Sequence, residues 1–149
     1  MMVALEAALS SVKRLALDTA PIIYFVEANP RYDALVTAIF QRIANGDIEA
    51  VTSALTLTEV LALPMQKQRS DLCRAYKTLL TSAEHFTLVS IDSGIAERAA
   101  ELRARYQLRT PDALQIATSL AKDCQAFLTN DKSLHRITEI PVVVLETFL

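Results

Sequence analysis

Five short apolar runs, separated by longer stretches of helical period, restrict the fold of this chain more than any other feature. The runs are RLALD (14–18), IEAVTSA (48–54), FTLVSI (86–91), AFLT (126–129) and IPVVVL (140–145). They are short and apolar with little alternation, the pattern of strands covered on both faces. Between them lie helical stretches: TAPIIYFVEAN with Pro21 in its first turn, RYDALVTAIFQRIANG, LTLTEVLALPMQ with Pro64 near its end, SDLCRAYKTLLTSA, SGIAERAAELRARYQ and TPDALQIATSLAKDC. In RYDALVTAIFQRIANG the apolar positions Leu35, Val36, Ile39, Phe40 and Ile43 recur at helical spacing, and Gly46 is expected as the C-cap. Strands alternating with helices predict an α/β fold of three layers, α/β/α, around a mostly parallel five-stranded sheet.

A chain of 149 residues, 52% of them apolar, has material for one core and one domain. With only two Gly and five Pro it is neither disordered nor loop-dominated. Residues 1–13 read as an N-terminal extension, an amphipathic helix or a frayed tail, ahead of a single domain over 14–149. The opening MMVALEAALSSVKR lacks the long apolar core of a signal peptide, and no run reaches the roughly 18 residues of a membrane span. A cytoplasmic protein is expected. Cys73 and Cys124 stand far apart in no metal-type spacing and read as reduced, buried thiols. A net charge of −2 excludes a general polyanion binder, so any nucleic-acid contact must use a local basic patch.

Asp18 ends the first strand and Asp131 follows the fourth, so both point to the carboxyl edge of a parallel sheet, where ligands bind. Glu59 lies early in the helix after strand two, near the same edge. Asp112 lies in the first turn of the helix leading into strand four. That helix is expected to start at the opposite edge, so simple topology gathers three acids and leaves Asp112 needing further geometry. Each acid also has a structural reading. Asp18 caps a helix, Glu59 completes a capping box with Thr56, Asp112 faces a helix dipole, and Asp131 caps the turn DKSL. Capping does not ask for four carboxylates at one edge. Clustered acids without bases repel one another, and a divalent cation relieves that. Oxygen ligands without a Cys/His set point to Mg2+ or Mn2+ rather than zinc. His85 and His135 read as ordinary solvated or capping residues, and the scattered tyrosines Tyr24, Tyr32, Tyr76 and Tyr106 as packing.

The segments LALDTAPIIYFVE, VTSALTLTEVLALP and LRTPDALQIATSLAKDCQAFLTNDKSL together resemble the PIN-domain family, and within it the VapC-type toxins of toxin–antitoxin systems. The resemblance runs from about residue 14 to the C-terminus, and RTPDALQIA followed by FLTND is its most specific part. It implies a metal-dependent ribonuclease, with Asp18, Glu59, Asp112 and Asp131 as catalytic and metal-holding acids, Mg2+ or Mn2+ as cofactor, and a fold that brings Asp112 to the other three. Thr129, Asn130 and Ser53 match polar positions supporting such a site. The residues before the first acid depart from the pattern. The resemblance also implies an RNA substrate, a cognate antitoxin and a homodimer. Arg69, Arg74 and Lys77, with Arg98, Arg103, Arg105 and Arg109, are candidates for phosphate contacts; the alternative for them is a solvated face paired with Glu97 and Glu101. Two other readings compete: a different Mg2+-dependent phosphate hydrolase, and a PIN-like module that only binds partners. The first wants a second acid soon after strand one, which LALDTA does not supply. The second is disfavoured by the presence of all four acids.

Overall fold

The computed structural model describes residues 2–149. Five strands form one parallel sheet in the order β3-β2-β1-β4-β5. They are β1 (Arg14–Leu17), β2 (Glu49–Ser53), β3 (Phe86–Val89), β4 (Ala126–Thr129) and β5 (Val142–Val144). Among the described residues seven α-helices accompany them: α1 (Met2–Leu9), α2 (Thr19–Val26), α3 (Asp33–Ala44), α4 (Ala54–Gln66), α5 (Ser70–Ser82), α6 (Ser93–Tyr106) and α7 (Thr110–Ala121). The α/β class and the sheet agree with the sequence reading, and every strand pair is parallel. β4 matches its apolar run, and the other four strands are shorter than theirs by one to three residues.

The side-chain alternation of the strands builds two cores. Leu15, Leu17, Ala50, Ala126 and Leu128 face one way, into residues from α1 to α5. Ala16, Val51 and Phe127 face the other way, against α6, α7 and the segment carrying Leu134, Ile137 and Ile140. Burial on both faces is why the strands read as continuous apolar runs.

All five periodic apolar residues of α3 are buried. Its C-cap is Asn45, and Gly46 follows in the left-handed region at φ 82. A Cβ at Gly46 would stand 3.1 Å from Nε2 of His85, whose Nδ1 contacts Glu49. Helix α4 starts at Ala54, one residue earlier than the pattern indicated, with Ser53 as its N-cap. Thr56 is therefore inside the helix and forms no capping box with Glu59. The thiols of Cys73 and Cys124 are free but only part-buried, not buried as expected. Burial still pushes Cys124 up to about 12, so it stays a thiol at neutral pH.

Helix α7 corrects the topological expectation for Asp112. Crossover helices run antiparallel to the strands they feed, so α7 begins at the carboxyl edge. Its far end lies beside the start of β1, where Nη1 of Arg14 donates to the carbonyl of Lys122 at 2.7 Å. Helix α6 reaches α7 through residues 107–109, with Gln107 left-handed at φ 58. No unusual crossing is needed to bring Asp112 to the other acids.

Among the described residues no helix is long and apolar enough to cross a membrane. The extension contains helix α1, whose Leu5 and Leu9 join the first core together with Val12. Leu9 is 1% exposed, so Leu9→Ala should destabilise the protein by about 2–5 kcal/mol in urea unfolding. A cost near zero would mean that the helix is not docked in solution.

Candidate active site

Strand connections from β1 run towards β3, whereas β4 and β5 lie on the other side of β1. The chain therefore reverses its winding between β1 and β4, and the carboxyl ends of those neighbours flank a crevice. Asp18 follows β1, and its amide donates to the carbonyl of Leu128 at 2.9 Å. Asp131 lies two residues beyond β4. Glu59 comes from α4 and Asp112 from the first turn of α7. All four acids line one cleft of about 270 Å3, with Thr19, Arg109 and Gln115 among its other walls. Asp112 thus joins the three acids that topology alone had gathered.

Each carboxylate is held by local chemistry. Asp18 is the N-cap of α2, its Oδ1 accepting from the Thr19 amide at 2.9 Å while Oδ2 accepts from the Thr129 hydroxyl at 2.8 Å. The same Thr129 oxygen accepts from the Asp131 amide at 3.1 Å. Thr129 therefore links the two acids at the strand ends. Asp131 caps the 3-10 turn Lys132–Arg136, accepting from the amide and hydroxyl of Ser133 at 3.0 and 2.7 Å. Glu59 accepts from the Thr19 hydroxyl at 2.5 Å. Asp112, 13% exposed, accepts from Nε of Arg109 at 3.2 Å. The capping readings of Asp18 and Asp131 hold, and both acids still face the cleft.

Beneath the acids lies a polar layer that sequence reasoning missed, apart from Ser53. Gln115 is 3% exposed, one helical turn after Asp112. Its Nε2 donates to Thr56 at 2.9 Å and to Thr19 at 3.3 Å, and its Oε1 accepts from Ser53 at 2.7 Å. Thr56 in turn lies one turn before Glu59 and contacts Thr52, whose hydroxyl donates to the Leu17 carbonyl at 2.9 Å. The available signal was a lone amide in the apolar run ALQIA, where an unpaired polar group would be costly. Asn130, by contrast, turns away from the cleft. It donates to the Tyr24 hydroxyl and accepts from the Glu146 amide.

Among the basic candidates, Arg98 pairs with Glu101, Arg105 with Glu139, and Arg69 with Asp71. Arg109 alone pairs with one of the four acids, and Asp131 and Asp18 add to the field that holds its proton. Among the described residues, no three acidic, histidine or cysteine side chains stand close enough to ligate one ion. The donor chemistry nevertheless fits a hard divalent cation. The cleft walls offer four carboxylates, and a guanidinium already answers part of their charge.

Burial raises the pKa of Asp18 above the ordinary aspartate value; hydrogen bonds from Thr129 and Thr19 oppose this, and the charges of Asp112 and Glu59 add to it. A raised folded-state pKa means that the stabilising contribution is complete below the unfolded value and is lost as pH rises through the folded one. Asp18→Asn should therefore gain stability relative to wild type as pH rises above the ordinary aspartate value of 3.8 and through the raised folded-state one in metal-free buffer, read by urea unfolding at each pH. A variant that loses ground over that interval would contradict the assignment.

The family model described as the PIN domain matches residues 15–140. No curated protein sequence matches the chain. Among solved structures, VapBC2 from Rickettsia felis bound to a promoter DNA fragment is similar at a TM-score of 0.71 and 14% identity, over 88% of this chain and 98% of that one. A toxin–antitoxin complex from Klebsiella pneumoniae gives 0.66 and 22%, over 88% and 97%. VapC20 from Mycobacterium tuberculosis, a sarcin-ricin loop cleaving toxin, gives 0.61 and 19%, over 85% and 98%. The likenesses concern the fold, and helix α1 lies ahead of the family match. With that match spanning most of its length, the chain belongs to the PIN-domain family.

Proposed function

We propose that this protein is a metal-dependent endoribonuclease and the toxin of a toxin–antitoxin pair. The observation that carries the reading is the meeting of Asp18, Glu59, Asp112 and Asp131, from four separate segments, in one cleft at the switch point of the sheet. Single caps do not require such convergence.

Mg2+ or Mn2+ is the expected cofactor, which these four carboxylates would hold once drawn closer together than they stand here. When bound, such an ion acidifies a water molecule and neutralises charge on phosphate oxygens. Asp18 is kept in place from both oxygens by Thr129 and Thr19, so it meets a cation without having to be ordered first. Arg109 is 77% exposed and tethered only to Asp112, which leaves its guanidinium able to contact a phosphate flanking the cleaved bond. Arg69, Arg74 and Lys77 line a separate groove beside α4 and α5, suited to more distant phosphates.

VapBC and FitAB complexes share this fold. That supports a cognate antitoxin as partner; a homodimer as the toxin's own assembly and cytoplasmic RNA as its target are part of the same proposal and rest on the family resemblance alone.

Asp112→Asn tests the reading. Loss of charge in a first turn and of an exposed ion pair should change stability by no more than about 1 kcal/mol. Cleavage of total RNA with Mg2+ or Mn2+ should fall by about 100-fold or more at equal folded fraction. Growth inhibition on expression without antitoxin should disappear as well. Wild-type cleavage that persists in EDTA, or a variant as active as wild type, rejects the proposal. Millimolar Mg2+ or Mn2+ should also raise the wild-type melting temperature by mass action, and raise it less for Asp18→Asn. No shift with either ion would argue against a metal site.

A further inference from the structure

Glu59 is exposed, and it lines two cavities at once. One is the acid cleft. The other is a groove of about 260 Å3 between α2, α4 and α5, where Lys67 and Arg69 also stand. An exposed glutamate on a helix has many rotamers, and the second groove offers its carboxylate Lys67, with Arg69 already paired to Asp71 and Glu27 on the same wall. Membership of the acid cleft therefore needs a fixed bond. The hydroxyl of Thr19 supplies it, 2.5 Å from Oε1.

That hydroxyl is itself oriented from below. The Thr52 hydroxyl donates to the Leu17 carbonyl, so its contact with Thr56 must be one in which Thr56 donates. Thr56 then accepts from Gln115, and the second Nε2 proton of Gln115 goes to Thr19. The Glu59 carboxylate can only accept, so Thr19 gives it its proton while its own oxygen accepts from Gln115. The amide cannot exchange its ends, because Thr56 and Thr19 give their protons to Thr52 and Glu59 and offer it only lone pairs, whereas the Ser53 hydroxyl is free to donate to its oxygen. Every bond in the network thus has a fixed donor, and the protons point outward from Gln115, toward Leu17 on one side and Glu59 on the other.

We infer that Gln115 is a positioning residue for Glu59: its buried amide orients the Thr19 hydroxyl, which holds the Glu59 carboxylate in the acid cleft and away from the Lys67–Arg69 groove. The consequence for metal and RNA rests on the nuclease reading above, whereas the positioning itself does not.

The test uses the full-length chain and four variants: Gln115→Leu, Thr19→Val, Thr19→Ser and the Gln115→Leu/Thr19→Val double. Side-chain scalar couplings of Glu59 by NMR read its χ1 rotamer without metal. A single rotamer is expected in wild type and Thr19→Ser, and averaged couplings in the other three. Averaging in wild type, or one unchanged rotamer throughout, overturns the inference. Should Gln115→Leu fail to fold, Thr19→Val against Thr19→Ser decides, since both leave the bonds of Gln115 to Ser53 and Thr56 in place.

Mn2+ affinity, read from the electron paramagnetic resonance of the free ion, gives the functional consequence. Gln115→Leu and Thr19→Val should each weaken binding by about 10-fold. The double variant should be no worse than the weaker single, because both act along one path. Thr19→Ser should restore wild-type affinity, and Ser119→Ala, which removes a hydroxyl bonded only to Ile116 of its own helix, should leave it unchanged. Additive losses, or wild-type affinity in both single variants, overturn the positioning role. A wild-type protein that binds no Mn2+ sinks the metal-nuclease reading instead, and the couplings alone then decide the inference.

Discussion

The acid cleft depends on one buried amide. Gln115 sits where α7 meets α4, the end of β2 and the start of α2, and it bonds a side chain from each. Those are the elements that carry Asp112, Glu59 and, one residue before α2, Asp18. Like charges gathered at one edge push these elements apart. A fully satisfied polar layer directly beneath the charges opposes that push, and it does so in a low-dielectric setting where each bond counts for more than in water. No buried side-chain polar atom among the described residues lacks a partner. The layer therefore holds without a desolvation penalty left open.

The capping and catalytic readings of the acids turn out to be compatible. In an open parallel sheet the residue after a strand is also the residue before a helix or turn, so an N-cap at that place faces the ligand crevice by construction. Asp18 and Asp131 use one oxygen each for the local amides. Thr129 connects them, and its place as the last residue of β4 makes that strand a structural partner of the site as well as a core element. Burial raises the proton affinity of Asp18, and the charges of Asp112 and Glu59 raise it further.

Helix α1 adds a separate feature. It lies before the family match yet places Leu5 and Leu9 in the same core as β1 and α3. The extension thus thickens the layer on the face away from α6 and α7, leaving the cleft at the sheet edge untouched.

Much of this was legible in the order of residues. Continuous apolar runs specified strands covered on both faces, and the intervening periods specified helices, because burial on two sides removes the need for alternation. The spacing of Leu35, Val36, Ile39, Phe40 and Ile43 gave the inward face of α3, and the places of Asp18 and Asp131 after apolar runs gave their edge of the sheet. Other features were open to the sequence only in part. The Thr56–Glu59 spacing imitates a capping box, but the helix begins earlier and turns both residues to other partners. The placing of Asp112 was also misjudged, since a helix feeding a parallel strand runs against it. What tertiary structure alone decided is the layer under the acids. Gln115, Thr19, Thr52, Ser53 and Thr56 are ordinary polar residues along the chain, distant from one another in part, and hydrogen bonds form between atoms in space. Only packing of α2, α4 and α7 on the ends of β1 and β2 brings their donors and acceptors within reach, because a hydrogen bond's reach of about 3 Å is far shorter than the sequence separations it spans here.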